Sequence, residues 1–473
     1  MQSQDGRVAH GAAGQAGVAL SSRALTGTEP VPAQPANETS PWLPRGFRRY
    51  ALIVLQITVI LSLLDRQVLN ILAEPIKREL HLADWQIGAL SGFTFVLFYA
   101  FFGIPIARAA EQSHRPRIIA AAMAIWSGFT VLSGLASNFL WLGIARMGVG
   151  IGEAGCSPPA NSLIADYTPP EERASALALY HMGAPLGMMA GMVIGGLVAD
   201  AFGWRAAFFV VGAPGLLFAL VVALTLPEPR LRLGKLLRSQ ETDVSVLAAL
   251  RVLWTKPTFW FLALGSSANL FVTLGRAPFA ASFYFRAHGP QLAHLAAQYG
   301  LKPAGFVGLV LGLSGGVAAV FSVWLGGALA DRLARTDRRA YFAIPAIGAI
   351  AGVPLYLLAM FVGDLRVSIL LLAVSGLFGS LWFGPTYAIL MSIVQPRMRA
   401  TTAAVFLFVT NLLGLGLGPL VVGLTSDALA GPLLHLGSAE GVRWALVSTC
   451  VMTIPAFLML WWGRQSIVAD TVD

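Results

Sequence analysis

The sequence predicts an all-α membrane protein in which twelve transmembrane helices form two pseudo-symmetric bundles of six. Of its 473 residues, 56% are hydrophobic and only 12% are charged, whereas about 25% of the residues of soluble proteins are charged. The mean hydropathy is +0.71. Apolar runs long enough to cross a bilayer core of about 30 Å recur along the chain, and the two halves share motifs. These observations exclude an ordinary soluble protein.

Twelve apolar runs follow an N-terminal segment rich in Gly, Ala, Ser and Pro, a composition typical of disordered chain. The first six runs lie at residues 50–73, 86–108, 116–137, 139–164, 173–200 and 205–226. The last six lie at residues 257–285, 303–330, 340–362, 366–394, 399–427 and 441–463. The predicted divisions are a tail over 1–49, a first bundle over 50–226, a linker over 227–256, a second bundle over 257–463 and a tail over 464–473.

Lysine and arginine residues are concentrated in the loops on one side of the predicted bundle, as in the group Arg45, Arg48 and Arg49 before span one. The positive-inside rule therefore places both termini in the cytoplasm. This distribution accounts for the net charge of +9 without a nucleic-acid partner. We expect a multi-pass monomer in the lipid bilayer of a bacterial inner membrane. Cys156 and Cys450 fall inside apolar runs and predict neither a disulfide nor a metal site, and no cofactor is expected.

The ends of spans five and eleven carry similar motifs. Gly195-Gly-Leu-Val-Ala-Asp200 precedes Gly203-Trp-Arg205, and Gly423-Leu-Thr-Ser-Asp427 precedes Gly441-Val-Arg443. We interpret Asp200 with Arg205, and Asp427 with Arg443, as pairs that brace loops. Duplicated halves are common in secondary transporters, whose substrate site lies near mid-membrane between the halves.

Span four carries Arg146 and Glu153 in an otherwise uncharged run. Seven residues are close to two helical turns, so both side chains leave the helix on one face. Charges at this depth are costly and usually face a polar cavity with a function. Span one adds Asp65 and Arg66. The helical rise predicts that Asp65, Arg66 and Arg146 lie at one level, with Glu153 one step deeper.

The loop after span eight, Gly327-Ala-Leu-Ala-Asp331-Arg332, resembles the signature of the major facilitator superfamily. The same signature is expected after span two, where Ala107 replaces the usual aspartate beside Arg108 and Glu111 is the candidate substitute. Asp65-Arg66 and Gly150-Ile-Gly-Glu153-Ala154 are similar to motifs of the spinster family, whose members move sphingosine-1-phosphate, lysophospholipids and related amphiphiles. The resemblance implies alternating access, with Arg108, Glu111, Asp331 and Arg332 at a cytoplasmic gate.

Our hypothesis gives the four buried charges two roles. Asp65 and Glu153 take up and release protons, while Arg66 and Arg146 hold an anionic or zwitterionic headgroup, because the guanidinium pairs well with phosphate and carboxylate. The alternative is a permanent salt-bridge network that only orders the first half. Arg276, the one formal charge well inside the second half, is a secondary candidate for a headgroup contact or an external gate. His181 is a weaker candidate.

A charged first half and an apolar second half suit a small amphiphilic substrate with a charged head and an apolar tail. The sequence therefore predicts a proton-coupled carrier of lysolipid-like molecules. A proton-coupled symporter of organic anions or sugar phosphates is the alternative within transporters, and a lipid scramblase or channel is the alternative from another class. No enzyme is expected, since no nucleophile with a base and no metal cluster stands out as a catalytic site.

Overall fold

A computed structural model describes residues 44–229, 246–395, 398–431 and 433–470. Within these ranges the chain forms helices and no strand, which confirms the predicted all-α class. Most of the predicted N-terminal tail, residues 1–43, lies outside the described residues, as do residues 230–245 of the predicted linker and residues 471–473 at the end of the chain.

Eleven helical stretches of the described residues are long and apolar enough to cross a membrane. The helices of spans one to six are Arg45–Leu80; Asp84–Gly88, Ala89–Phe93 and Thr94–Gln112; Arg115–Ser133; Phe139–Ala154 and Ser157–Tyr167; Arg173–His181 and Gly183–Phe202; and Trp204–Thr225. Those of spans seven to twelve are Pro257–Ala287; Pro303–Ala334; Ala340–Ala351 and Val353–Phe361; Leu365–Gly379 and Phe383–Ser392; Arg399–Thr410, Asn411–Gly416 and Leu417–Ala430; and Gly437–Ser448, Thr449–Met452 and Thr453–Asp470.

Span four differs from the prediction because it is broken. The expected run over residues 139–164 forms two helices, which meet at Gly155 and Cys156. The second helix starts at Ser157, and Pro158 and Pro159 lie in its first turn, where a residue without a backbone N–H group is tolerated. The two pieces together supply the twelfth crossing, and Glu153 lies just before the break.

Span ten holds the same place in the second half and is also broken. Its two helices are separated by Ser380, Leu381 and Trp382. The hydroxyl of Ser322 accepts a hydrogen bond from the backbone N–H of Ser380 at 3.1 Å. This bond satisfies one of the backbone groups that the break leaves without a helical partner.

The buried core is shared at one face of the bundle and divided at the other. We call the face that holds Arg45 and Asp470 the terminus face, and the opposite face, which holds Leu80, the far face. The far-face core joins both halves; it includes Ile76, Phe208, Phe283, Phe306 and Val442. Near the terminus face each half has a core of its own, built around Ile119 and Ile164 in the first half and around Phe342 and Leu460 in the second. The halves are therefore joined at the far face and open toward the terminus face.

Glycines let the halves approach closely near the far face. A Cβ atom on Gly196 of span five would lie 2.5 Å from the carbonyl oxygen of Ala304 in span eight. Gly88 of span two is packed in the same way against the backbone of Pro419 in span eleven. Spans five and eight, and spans two and eleven, therefore form the two seams between the halves.

Candidate functional site: a buried charge cluster

Spans one and four bring four ionisable side chains into the middle of the first half. We call Asp65, Arg66, Arg146 and Glu153 the charge cluster. Asp65 lies about 30 Å along span one from Arg45, and Glu153 lies at the end of the first helix of span four. Asp65, Arg146 and Glu153 are each only 2% exposed. Their depth makes each charge costly unless a partner or a polar cavity compensates it.

Glu153 forms an ion pair with Arg66. The Nε atom of Arg66 donates a hydrogen bond to Oε2 of Glu153 at 2.6 Å, and a terminal nitrogen of the same guanidinium also contacts that oxygen. Ser62, one helical turn before Arg66, donates to Oε2 at 2.9 Å. The other oxygen, Oε1, is buried without a hydrogen-bond partner. One oxygen of Glu153 is thus saturated, while the other remains free for a proton or a ligand.

Asp65 faces a different neighbour from Arg66, because consecutive residues of a helix point about 100° apart. Its Oδ2 atom accepts a hydrogen bond from the hydroxyl of Thr130 in span three at 3.0 Å. Its Oδ1 atom is buried without a partner. The carboxyl of Asp65 therefore rests against a neutral hydroxyl rather than in an ion pair.

Arg146 has no carboxylate within ion-pair distance among the described residues. It is buried, its Nε atom lacks a hydrogen-bond partner, and its guanidinium carbon lies 5.7 Å from the centre of the Phe95 ring. The four side chains therefore do not form a single network of direct contacts. Arg66 and Glu153 form a pair, whereas Asp65 and Arg146 each lie beside it.

Arg66 is the most accessible member of the charge cluster, with 26% of its side chain exposed. Its guanidinium carbon lies 4.4 Å from the ring centre of Phe95 and 5.4 Å from that of Tyr99. These two span-two rings are 5.5 Å apart and stacked. Stacking on aromatic faces holds a guanidinium in place while leaving its edge free to pair with an anion.

The two secondary candidates lie away from this cluster. Arg276 donates to the hydroxyl of Thr449 in span twelve at 2.6 Å, and its guanidinium carbon lies 3.5 Å from the ring centre of Tyr356 in span nine. His181 is exposed, and its ring lies 5.0 Å from that of Tyr180. The structure therefore places neither residue against Asp65, Arg66, Arg146 or Glu153.

The predicted gate residues lie at the terminus face, where the halves are apart. Asp331 accepts a hydrogen bond from the hydroxyl of Tyr341 at 2.9 Å, within its own half. Arg108 and Arg332 are exposed, and Glu111 lies in the last turn of Thr94–Gln112. Asp331 therefore bonds within its own half in this conformation, and the role of the four residues as a gate remains a prediction.

A charge network that the sequence reasoning missed joins the halves at the far face. Arg286 at the end of span seven donates to Glu74 of span one at 2.8 Å and to both oxygens of Asp84 in span two at 2.8 Å. Lys77 donates to Asp84 at 2.5 Å, and Ser426 of span eleven donates to it at 2.6 Å. The sequence does not predict this network, because it does not reveal which residues face each other across the halves.

The predicted pairings of Asp200 with Arg205 and of Asp427 with Arg443 are wrong. Asp200 accepts hydrogen bonds from the backbone N–H groups of Ala304, at 3.1 Å, and Gly305, at the start of span eight. Asp427 accepts from those of Asp84, at 3.0 Å, and Trp85, at 2.8 Å, at the start of span two. We call Asp200 and Asp427 the aspartate caps.

The two aspartates bind at helix starts because the backbone N–H groups there need hydrogen-bond acceptors. The first N–H groups of a helix lack partners and carry a partial positive charge, so a carboxylate is favoured there. The two arginines pair elsewhere: Arg205 with Glu79, and Arg443 with Glu440. Each cap thus links the C-terminal end of a helix in one half to the N-terminal end of a helix in the other.

A second missed network braces the first half at the terminus face. The side chain of Arg115, at the start of span three, is only 1% exposed and pairs with Glu228, just after span six, and with Asp166 of span four at 2.6 Å. A buried arginine that satisfies two carboxylates fixes the ends of three spans relative to one another. This network lies within one half and does not contribute to contact between the halves.

Residues 55–419 match the family model of the Major Facilitator Superfamily. The chain belongs to the major facilitator superfamily. An MFS-type efflux pump of Mycolicibacterium smegmatis is 32% identical to this transporter over 420 residues, which cover 89% of this chain and 93% of the pump. Protein spinster homolog 1 of Xenopus laevis is 25% identical over 85% of this chain and 78% of that protein.

A solved structure gives the same classification. The crystal structure of a bacterial homologue of the human lysosomal transporter spinster, inward-facing and unoccupied, matches this transporter with a TM-score of 0.79. The two are 31% identical, and the match covers 91% of this chain and 100% of that one. The predicted superfamily and its spinster type are therefore confirmed, and the protein is a transporter rather than an enzyme.

Proposed function

We propose that this transporter moves a lysolipid-like or sphingosine-phosphate-like amphiphile by alternating access, driven by protons. The observation that carries the proposal is the Arg66–Glu153 ion pair, in which an otherwise buried carboxylate meets an arginine that reaches the opening between the halves. Glu153 can exchange Arg66 for a proton, and Arg66 can exchange Glu153 for a substrate anion. Binding of the proton and binding of the anion are then coupled.

The coupling follows from charge balance. When Glu153 and Asp65 are both ionised, they offset the charges of Arg66 and Arg146. Protonation of Glu153 weakens its hold on Arg66, whose guanidinium then has a free edge for a phosphate or carboxylate. Arg146, which has no ion-pair partner, adds attraction for an anion. Loss of the proton restores the ion pair and expels the headgroup.

The walls of the opening support an amphiphilic substrate rather than a small sugar. The first half provides Arg66 on its aromatic support of Phe95 and Tyr99. Span ten of the second half carries Tyr387. The Tyr387 ring packs against Phe383 and Phe406, with ring centres 5.1 and 6.1 Å away. Such an aromatic wall suits an apolar tail.

The orientation and assembly belong to the same proposal. The positive-inside distribution of the sequence and the likeness to an inward-facing relative both support a cytoplasmic terminus face. The proposed setting is a bacterial inner membrane, in which a single chain carries the complete pathway between its two halves.

Transport by proteoliposomes under an imposed pH gradient tests the proposal. We expect wild-type protein to take up a fluorescent lysophospholipid faster with the gradient than without it, and Glu153→Gln and Asp65→Asn to lose that acceleration by about tenfold or more. Glu440→Gln, which alters a carboxylate in a local pair with Arg443, is the matched control. If both cluster variants keep the full response to the gradient, proton coupling through these residues is wrong.

Export of lipophilic compounds is a second candidate, favoured by the relative named as an MFS-type efflux pump. The same liposomes distinguish the candidates. If lysolipids are the substrates, an unlabelled lysolipid inhibits uptake of the fluorescent lysophospholipid with an inhibition constant equal to its own KM. If the protein is an efflux pump of broad specificity, the liposomes accumulate uncharged lipophilic dyes as well. Uptake of such dyes, with no uptake of lysophospholipid, would replace the first candidate with the second.

A further inference from the structure

Arg276 is a partly buried charge that the proposed transport mechanism does not use. Its guanidinium is held on three sides: by the hydroxyl of Thr449 at 2.6 Å, by the sulfur of Cys450 at 3.1 Å and by the ring of Tyr356 at 3.5 Å. All three partners are uncharged, and no described carboxylate lies within ion-pair distance. An arginine stays charged in any protein environment, so its positive charge is oriented but not neutralised.

The depth of Arg276 brings it within reach of the lipid headgroups at the far face. Span seven, Pro257–Ala287, has 31 residues and is about 46 Å long, about 16 Å more than the hydrocarbon core of a bilayer. If that excess is shared between both ends, the Cα atom of Arg276 lies about 8 Å inside the core boundary. A long arginine side chain can reach from this depth to the interface.

A groove beside this arginine opens on the outer surface of the second half. Thr449, which binds Arg276, also lines a cavity of about 270 Å³ together with Phe271, Val421 and Met452. Val421 is 40% exposed and Met452 is 39% exposed, so the groove is open at the protein surface. Its volume falls below the range of about 300–1,000 Å³ that is typical of pockets for whole small molecules. A narrow apolar groove of this size suits part of one acyl chain.

We propose that Arg276 and this groove bind an anionic phospholipid of the surrounding bilayer. The guanidinium pairs with the lipid phosphate, and one acyl chain lies in the groove over Phe271, Val421 and Met452. Charge complementarity supports this occupant, because the site offers one uncompensated positive charge next to an apolar surface. The bound lipid fills the surface where span twelve leaves regular α-helical geometry, at Thr449–Met452, and thereby stabilises the second half.

Native mass spectrometry of the detergent-purified chain, titrated with dioleoyl-phosphatidylglycerol or dioleoyl-phosphatidylcholine, tests the site. Arg276→Gln is compared with Arg464→Gln, because Arg464 also stacks on an aromatic ring, that of Trp461 at 3.6 Å, but lies near the terminus face away from the groove. Both variants remove one positive charge. We expect wild-type protein to retain phosphatidylglycerol at about tenfold lower concentration than phosphatidylcholine. We expect Arg276→Gln to lose that preference and Arg464→Gln to keep it.

Val421→Trp provides an independent test, since it fills the groove and leaves Arg276 in place. It should also reduce retention of phosphatidylglycerol, which keeps the proposal falsifiable if Arg276→Gln does not fold. Equal retention of the two lipids by wild-type protein would overturn the proposal. So would equal losses in the two arginine variants, or a Val421→Trp variant with normal retention. If Arg276→Gln raises the KM for lysophospholipid uptake while lipid retention is unchanged, Arg276 belongs to the substrate pathway and the bilayer-lipid site is wrong.

Discussion

Spans four and ten occupy equivalent places in the two halves, and both are broken near the middle, yet only span four is charged beside its break. Span four has Arg146 and Glu153 in its first helix. Span ten has Trp382 and Phe383 at its break and Tyr387 one turn later. Equivalent broken helices therefore carry ionisable side chains in the first half and aromatic side chains in the second.

The aspartate caps show the opposite relationship. Asp200 and Asp427 end equivalent helices and make the same contact, two backbone N–H groups at the start of a helix in the other half. The aspartate caps between the halves are duplicated, whereas the buried charges of the charge cluster are not. In the proposed mechanism, both halves therefore take part in opening and closing, while the proton-binding carboxylates lie in the first half.

The largest expected effect on stability and transport comes from removing the charges of the Arg66–Glu153 pair, which has no equivalent in span ten. Arg66→Gln leaves Glu153 buried without its ion-pair partner, which costs about 3 kcal/mol of stability, the lower end of the usual range because Arg66 is 26% exposed. Arg66→Gln/Glu153→Gln should recover most of that loss without recovering proton-driven uptake. Thermal unfolding and proteoliposome uptake measure the two properties.

The Arg443–Glu440 pair is the control for that experiment, because its carboxylate is 39% exposed whereas that of Glu153 is buried, so Arg443→Gln should cost under about 1 kcal/mol. A double variant that transports with a normal pH response would show that the charge cluster is only structural. In that case the difference between spans four and ten would have no part in coupling.

The next effect tests the symmetry of the aspartate caps. Asp200→Asn and Asp427→Asn each weaken two hydrogen bonds at a helix start, and each should shift the equilibrium toward opening at the far face by about fivefold. A cysteine in place of Met192, which lies in the seam against Gly308, reports the opening through its rate of modification by a thiol reagent added at the far face.

The two cap variants should change that rate by similar factors, and the double variant should show the product of the two, because the caps lie in separate seams. An effect confined to one cap would show that the duplicated contacts are not equivalent. A slower modification rate in either variant would contradict their role in closing the far face.

The smallest effect concerns the histidine that follows the first span of each half. His288 is only 5% exposed and packs on Phe283, whereas His81 is exposed. Burial lowers the pKa of His288, and nearby Arg443 lowers it further, while Gln291 and Asp364 act in the opposite direction. The folded state therefore binds fewer protons at this residue than the unfolded state, and stability contributed by neutral His288 is lost as the pH falls below about 6.5.

His288→Asn should reduce the loss of thermal stability between pH 7 and pH 5. His81→Asn is the matched control and should leave that loss unchanged; asparagine tolerates the positive φ of 52° at this position. An identical pH dependence in wild-type protein and His288→Asn would show that the buried ring does not contribute to it.

The sequence predicted the fold because its signals are one-dimensional: apolar runs, basic loops and repeated motifs. Asp65, Arg66, Arg146 and Glu153 could be identified in the same way, since a charge inside an apolar run is conspicuous. Their pairing could not, because the direction of a side chain depends on helix boundaries that a sequence locates only within a few residues. The sequence therefore does not reveal that Arg66 pairs with Glu153.

The missed residues were of two kinds. Ser62 and Thr130 are uncharged and carry no sequence signal, although the spacing of Ser62 and Arg66 by four residues could have indicated a shared face. Pro158 and Pro159 could have revealed the break in span four. The partners of Asp200 and Asp427 lie about a hundred or more residues away in the other half, and only the assembled bundle brings them together.

The aspartate caps also bear on how the protein can alternate without consuming ATP. Carboxylates and backbone N–H groups are both well hydrated when they separate, so the net cost of parting them is a small fraction of their attraction in a dry interior. The hydrogen bonds of the aspartate caps can therefore form and break reversibly at ambient temperature. In the proposed mechanism, the substrate or proton bound between the halves then determines which side of the membrane the opening faces.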